Sequence, residues 1–254
     1  MSSFLSVLYT NDHFDQIAKF LTFHDGLKSC RVNRFFNTKI VEAVLKHNPC
    51  EVSCDDKDWN YCIRKEYIMA IDRHINKITK IVEKAGCSML DRLHNKEHAV
   101  LFKRLTSVTF TNLGENNYWN NLYIFINNFP KLTTLHLESD FDCRRMVQSF
   151  ALLPELKQLE YNVHTCSCRN HEEDISGLST TLETVCILLR SGYNISPEMN
   201  VVFEESYEKM DKLTLCNVKT NLPNMPNLRL LNFYNVTVRV LNIENKFSLG
   251  LSLD

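Results

Sequence analysis

The densest group of reactive side chains in the chain is His164-Thr-Cys166-Ser-Cys168-Arg-Asn-His171. Imidazole and thiolate are ligands that zinc prefers. Two features separate this group from a structural zinc site: Cys-x-Cys is tighter than the usual ligand pair, and no second Cys/His pair lies close by. The group reads as a polar loop after a strand, and no metal is expected there. A nucleophilic cysteine with a distant imidazole, such as Cys186 with His136, would be the other route to chemistry, and no local motif surrounds either residue. Phosphate-cradling glycine loops, a Gly-x-Ser-x-Gly elbow and a His-Glu-x-x-His pair are all missing from the sequence. We expect no catalytic residue, no cofactor and therefore no enzyme.

The elements that carry these residues fall into three regions: 1–48, 49–100 and 101–254. The first is compact, aromatic-rich and helical in pattern. The second has Tyr67, Ile71, Ile75, Ile78 and Val82 at steps of four and three, one stripe of an amphipathic helix, with Gly86 as its C-terminal cap. It is expected to be a helical linker that packs the first region onto the third. From about residue 101 the pattern changes to short strand-like segments at regular spacing.

Composition bounds the partners. With 44% hydrophobic and 23% charged residues, the chain has the make-up of an ordinary globular protein. A formal net charge of -1 gives no reason to expect nucleic acid or an anionic membrane. No apolar run reaches the roughly 20 residues that cross a bilayer, and the N-terminus lacks the basic leader of a secretory signal. Ten cysteines spread along a chain that can bury a real core read as free thiols in a reducing compartment, the cytoplasm or nucleus.

Internal self-similarity is the strongest pattern. Phe129-Pro130-Lys131-Leu132-Thr-Thr-Leu135-His-Leu137 aligns with Leu153-Pro154-Glu155-Leu156-Lys-Gln-Leu159-Glu-Tyr161 and with Met225-Pro226-Asn227-Leu228-Arg-Leu-Leu231-Asn-Phe233. Looser copies start at Leu105, Leu182 and Met210. The first positions 105, 132, 156, 182, 210 and 228 are separated by 27, 24, 26, 28 and 18 residues. Between strands, Trp119, Leu122 and Ile126, then Met146, Phe150 and Leu153, share helical faces, and Ser196-Pro197 looks like a helix start. Residues 101–243 resemble the leucine-rich-repeat family, although the asparagine that closes many of its repeats is mostly missing. The short last step leaves no room for a helix.

In the first region Phe14, Ile17 and Leu21 lie on one helical face. Asp25-Gly26 breaks the pattern, and Leu27, Cys30, Val32-Asn33 and Phe36 follow. Ile17 to Leu21, Asp25, Val32-Asn33 and Phe36 together resemble the F-box, over about 30 residues. Tyr9-Thr10 stands where that family has Leu-Pro.

The two resemblances imply an α/β repeat fold, with F-box-like N-terminal helices followed by a short, irregular leucine-rich-repeat solenoid. They also imply a substrate-recognition subunit of a Skp–cullin–F-box ubiquitin ligase. The Skp-type adaptor and cullin complex would dock through Phe14, Ile17, Phe20, Leu21, Leu27, Val32 and Phe36. A protein target, which the sequence does not identify, would bind outward-facing strand residues, with His136, Glu138, Glu160, Leu188, Asn232 and Tyr234 as candidates. The alternative is a leucine-rich-repeat scaffold whose N-terminal helices only cap the repeats.

Overall fold

In the computed structural model, the structure describes residues 11–22, 25–26, 34–48, 50–53, 75–84, 100–113, 127–139, 150–164, 175–189, 200–204 and 206–241. Its two helices of some length are α1 (Asn11–Ala18) and α2 (Arg34–His47). The strands are β1 (Cys50–Ser53), β2 (Lys80–Lys84), β3 (Ser107–Leu113), β4 (Thr134–Ser139), β5 (Gln158–Val163), β6 (Thr184–Leu189), β7 (Asn200–Val201), β8 (Lys212–Cys216), β9 (Lys219–Leu222), β10 (Leu230–Tyr234) and β11 (Thr237–Leu241).

Eight of these strands form one sheet in the order β1-β2-β3-β4-β5-β6-β8-β10, and every pairing in it is parallel. A smaller parallel sheet has the order β11-β9-β7.

This architecture overturns the expected fold class. The described part of the chain is an α/β-like fold dominated by one long parallel sheet, with two helices at its start, and not a helical F-box module followed by a solenoid. The sheet begins at Cys50, inside the stretch expected to be a helical linker. There the stripe Ile75, Ile78 and Val82 is a 3-10 turn, Ile75–Lys77, running into strand β2. Tyr67, Ile71 and Gly86 lie outside the described residues, as do Trp119, Leu122, Ile126, Met146 and Ser196-Pro197. Phe150–Leu152 is a 3-10 turn.

A single local device sets up strand after strand. An apolar residue's carbonyl accepts the N–H three residues on: Phe102 from Leu105, Phe129 from Leu132, Leu153 from Leu156, Tyr207 from Met210 and Met225 from Leu228, at 3.0–3.2 Å. This is a β-turn, and Pro130, Pro154 and Pro226 sit at its second position, where a fixed φ near −65° suits it. The turn drops Leu105, Leu132, Leu156, Leu182, Met210 and Leu228 into the core. The next residues bond to the unit before. Thr133 and Thr134 donate to the Thr106 carbonyl, and Lys157 and Gln158 to that of Thr133. The ladder reaches back to Thr79, which accepts from Thr106 and Ser107. Ile78, whose N–H donates to the Ile75 carbonyl, is thus the earliest member of the series among the described residues.

Along each strand side chains alternate between faces. Leu135, Leu159, Val185 and Leu213 are paired neighbours with at most 1% exposure, and Leu137, Tyr161, Ile187 and Leu215 form a second buried row at 0%. Each such side chain contributes about 1.5–3 kcal/mol of burial. The same core takes in Ile40, Val41 and Leu45 of α2. The second helix and the sheet therefore share one interior, while Ala18 of α1 packs in a separate small cluster with Ala43 and Val44, and Leu21 touches both.

The short final spacing has a structural cause. After β8 and β10 the chain turns at Asn217 and Asn235, both left-handed, with φ of 55° and 51°. It then enters β9 and β11 of the second sheet. Asparagine tolerates this region better than most residues. Asn235 Nδ2 donates to Asn217 Oδ1 at 2.8 Å, and Asn217 Nδ2 donates to the Leu189 carbonyl. A second sheet thus occupies the place where other units have room for a longer crossover.

Candidate functional site

The open face of the long sheet consists of the residues between the buried ones. Its middle row runs Thr109, His136, Glu160, Cys186, Thr214, Asn232, each paired with the next. The row beside it runs Glu138, Asn162, Leu188, Cys216, Tyr234. Thr111 of β3 does not continue this second row, because the β3–β4 register shifts between Phe110 and Leu113. All six target-binding candidates therefore lie on one face.

The face changes character along its length. At β4 and β5 it is a polar network. His136 Nδ1 lies 3.1 Å from Glu160 Oε2, and Asn162 Nδ2 donates to Glu160 Oε1 at 3.0 Å. His164 Nε2 lies 2.7 Å from Glu138 Oε1. Among the described residues, the buried atoms His136 Nε2 and Asn162 Oδ1 have no hydrogen-bond partner.

Toward the end of the sheet the face gains exposed apolar side chains among polar ones. Leu188 is half-buried, while Leu230 and Tyr234 on the edge strand β10 are 44% and 48% exposed. Asn232 contacts Thr214 Oγ1 at 3.4 Å, a long hydrogen bond.

Cys186 lies in the middle row between Glu160 and Thr214. Burial, then the charges of Glu160 and Cys216, push its thiol up from 9.0 to about 11. A thiol held protonated in this way is a poor nucleophile. Glu160 also stands between it and His136, so the Cys186/His136 pairing has no direct contact to work through. His164 turns to Glu138, while Cys166, Cys168 and His171 lie outside the described residues. Among the described residues no three His, Cys, Asp or Glu side chains come together as a metal site.

The N-terminal motif is only partly described. Leu27 and Val32 lie outside the described residues, and so do the side chains of Phe14 and Phe36. α1 turns Ala18 into the interior at 0% exposure, whereas Ile17 is 42% and Phe20 87% exposed. Leu21 is half-buried against the core. The face expected to carry Ile17 together with Leu21 is thus split, one residue out and one in. Phe20 N–H donates to the Ile17 carbonyl at 3.0 Å, which holds the two exposed residues one turn apart.

Polar clamps fix this end. Asn48 Nδ2 donates to the carbonyls of Ala18 and Leu21 at 2.7 and 2.8 Å. Thr22 and Asp25 form a reciprocal cap: Asp25 N–H donates to Thr22 Oγ1, and Thr22 N–H to Asp25 Oδ2, both at 3.1 Å. Asp25 therefore sits inside the new helical turn, and Thr22 is its cap.

Sequence reasoning missed the His164–Glu138 pair and the start of the sheet at β1 and β2. The 27-residue step from Ile78 to Leu105, equal to that from Leu105 to Leu132, is the signal that could have found β2.

No family model matches the chain, and no curated protein or solved structure does either. Neither the F-box nor the leucine-rich-repeat resemblance is identified by these comparisons. Among the described residues no helix is long and apolar enough to cross a membrane.

Proposed function

We propose that the chain is a non-catalytic receptor with two protein-binding surfaces, the end of α1 and the open face of the long sheet. The observation that carries this is the exposure of Ile17 and Phe20 at 42% and 87%, one turn apart, beside a fully buried Ala18. Helices that served only as a cap would turn their large apolar residues inward. A Skp-type adaptor would seat on Ile17 and Phe20. The open face would hold the protein target through His136, Glu138, Glu160, Leu188, Asn232 and Tyr234. Ubiquitin transfer would belong to enzymes recruited by the cullin complex, so the chain would act by proximity. Its working compartment would be the cytoplasm or nucleus.

The second reading, a scaffold whose helices cap the sheet, is favoured by Leu21, Ile40, Val41 and Leu45, which all pack on the common core. Co-purification with a Skp-type adaptor separates the two. The receptor reading expects capture by the native chain and loss of capture by Ile17→Asp/Phe20→Asp, both at exposed sites that leave the fold intact. If the native chain captures no adaptor, the capping scaffold is the correct account.

A further inference from the structure

We propose that the cleft between α2 and the first turns of the long sheet binds an anion carrying two or more phosphate groups. The cleft encloses about 760 Å³, within the size range of small-ligand sites. Lys39, Glu42, Ala43 and Lys46 line it from one face of α2, at the i, i+3, i+4 and i+7 spacing of neighbours on a helix. Lys77, Lys103 and Arg104 line it from the sheet side.

Charge sets this place apart. The whole chain carries a formal -1, yet the cleft gathers five cations against the two carboxylates Asp15 and Glu42. Both carboxylates are engaged: Lys46 pairs with Asp15, and Lys77 with Glu42. The Lys46 hydrogen bond, followed by the charges of Lys46 and His47, holds the Asp15 carboxyl below its ordinary value against the opposing effect of desolvation. That leaves Lys39, Lys103 and Arg104 with no acidic partner among the described residues, three positive charges around one concavity. Asn76 and Thr79 add neutral polar groups to the lining.

The ligand class follows from matching that charge. One phosphate monoester carries about −1.5 to −2 at neutral pH. Three unmatched cations therefore call for at least two phosphates held close together. Arginine grips phosphate oxygens with two parallel N–H bonds, and lysine meets them as a point charge. A free polyphosphorylated small molecule and a doubly phosphorylated protein segment share this chemistry. The cleft takes Asp15 from α1, but its lining shares no residue with Ile17 and Phe20 or with the open face, so the proposal stands or falls apart from the receptor reading.

The test uses the full chain and inorganic tripolyphosphate, followed by calorimetry and thermal unfolding, with sulfate at matched ionic strength as the comparison. We expect tripolyphosphate to bind at least about tenfold tighter than sulfate. Lys103→Glu/Arg104→Glu should weaken it by roughly tenfold or more. Lys131→Glu/Lys209→Glu, at exposed lysines outside the cleft, should leave it unchanged. If the double reversal disturbs the fold by circular dichroism, Lys39→Ala is the milder variant and should weaken binding by roughly threefold. Competition by a doubly phosphorylated peptide would assign the site to a protein-borne ligand, and failure of that peptide to compete to a free one. Binding no tighter than sulfate, or undiminished in the cleft variants, would overturn the proposal.

Discussion

The two faces of the long sheet are written by alternate residues of the same strands, yet they have different jobs. Leu135, Leu159, Val185 and Leu213 on the inner face are buried to within 1%. One residue away, Thr134, His136, Glu160 and Cys186 stay partly open to solvent. The inner face repeats one chemistry because every strand must continue the same core. The outer face has no such constraint, and it changes from the His136–Glu160 and His164–Glu138 pairs at β4 and β5 to Leu230 and Tyr234 at the edge. Uniformity marks what the fold requires, and variation marks where recognition can be written.

This contrast can be broken by substitution. Leu135→Ala deletes a side chain from the middle of the inner row and should destabilise the protein by roughly 2–5 kcal/mol, read by denaturant unfolding. A loss below about 1 kcal/mol would mean that the two faces are not energetically distinct. Gly177→Ala should cost roughly 1–3 kcal/mol, because Gly177 has a φ of +66° and an added Cβ would sit 2.9 Å from the Ala151 Cβ. A neutral result would show that the Ala151 turn gives way.

The outer face makes quieter predictions. Cys186 titrates near 11 in the folded state against 9.0 for an ordinary thiol. Between those values the unfolded chain has lost a proton that the native chain still holds. This thiol therefore lowers stability as pH rises above 9, and contributes nothing at neutral pH. At pH 8 its thiolate fraction, and with it alkylation followed by mass spectrometry on its peptide, should fall about a hundredfold below that of an unhindered thiol. Alkylation at the ordinary rate would mean that Cys186 is not held as described. Smallest of all, Gln158→Ala, one position from buried Leu159, should change stability by no more than about 0.5 kcal/mol. A larger loss would show that the outer row is structural as well.

How much was legible in the sequence follows the same division. The core positions Leu105, Leu132, Leu156, Leu182, Met210 and Leu228 could be read directly, because proline and leucine recur around one turn that each strand needs. The outward rows followed from alternation. The start of the sheet was misread because Ile71, Ile75, Ile78 and Val82 satisfy a helical stripe by spacing alone. In the structure Ile78 ends a turn, and it is Ile81, absent from that stripe, that points into the core from β2. The second sheet was invisible because its strands β9 and β11 are short and begin beyond single left-handed asparagines. The His164–Glu138 pair and the basic cleft were hidden for another reason. Residues 138 and 164, or 39 and 104, are brought together only by the stacking of strands and by the docking of α2.

The most direct measurement is quantitative affinity capture with the native chain, a Leu230→Ala/Tyr234→Ala variant and an Ile17→Asp/Phe20→Asp variant. The account predicts two separable sets of bound proteins, one lost only when the sheet face is altered and the other only when the α1 end is altered. Identical sets from all three proteins would contradict it, because neither surface would then be a docking site.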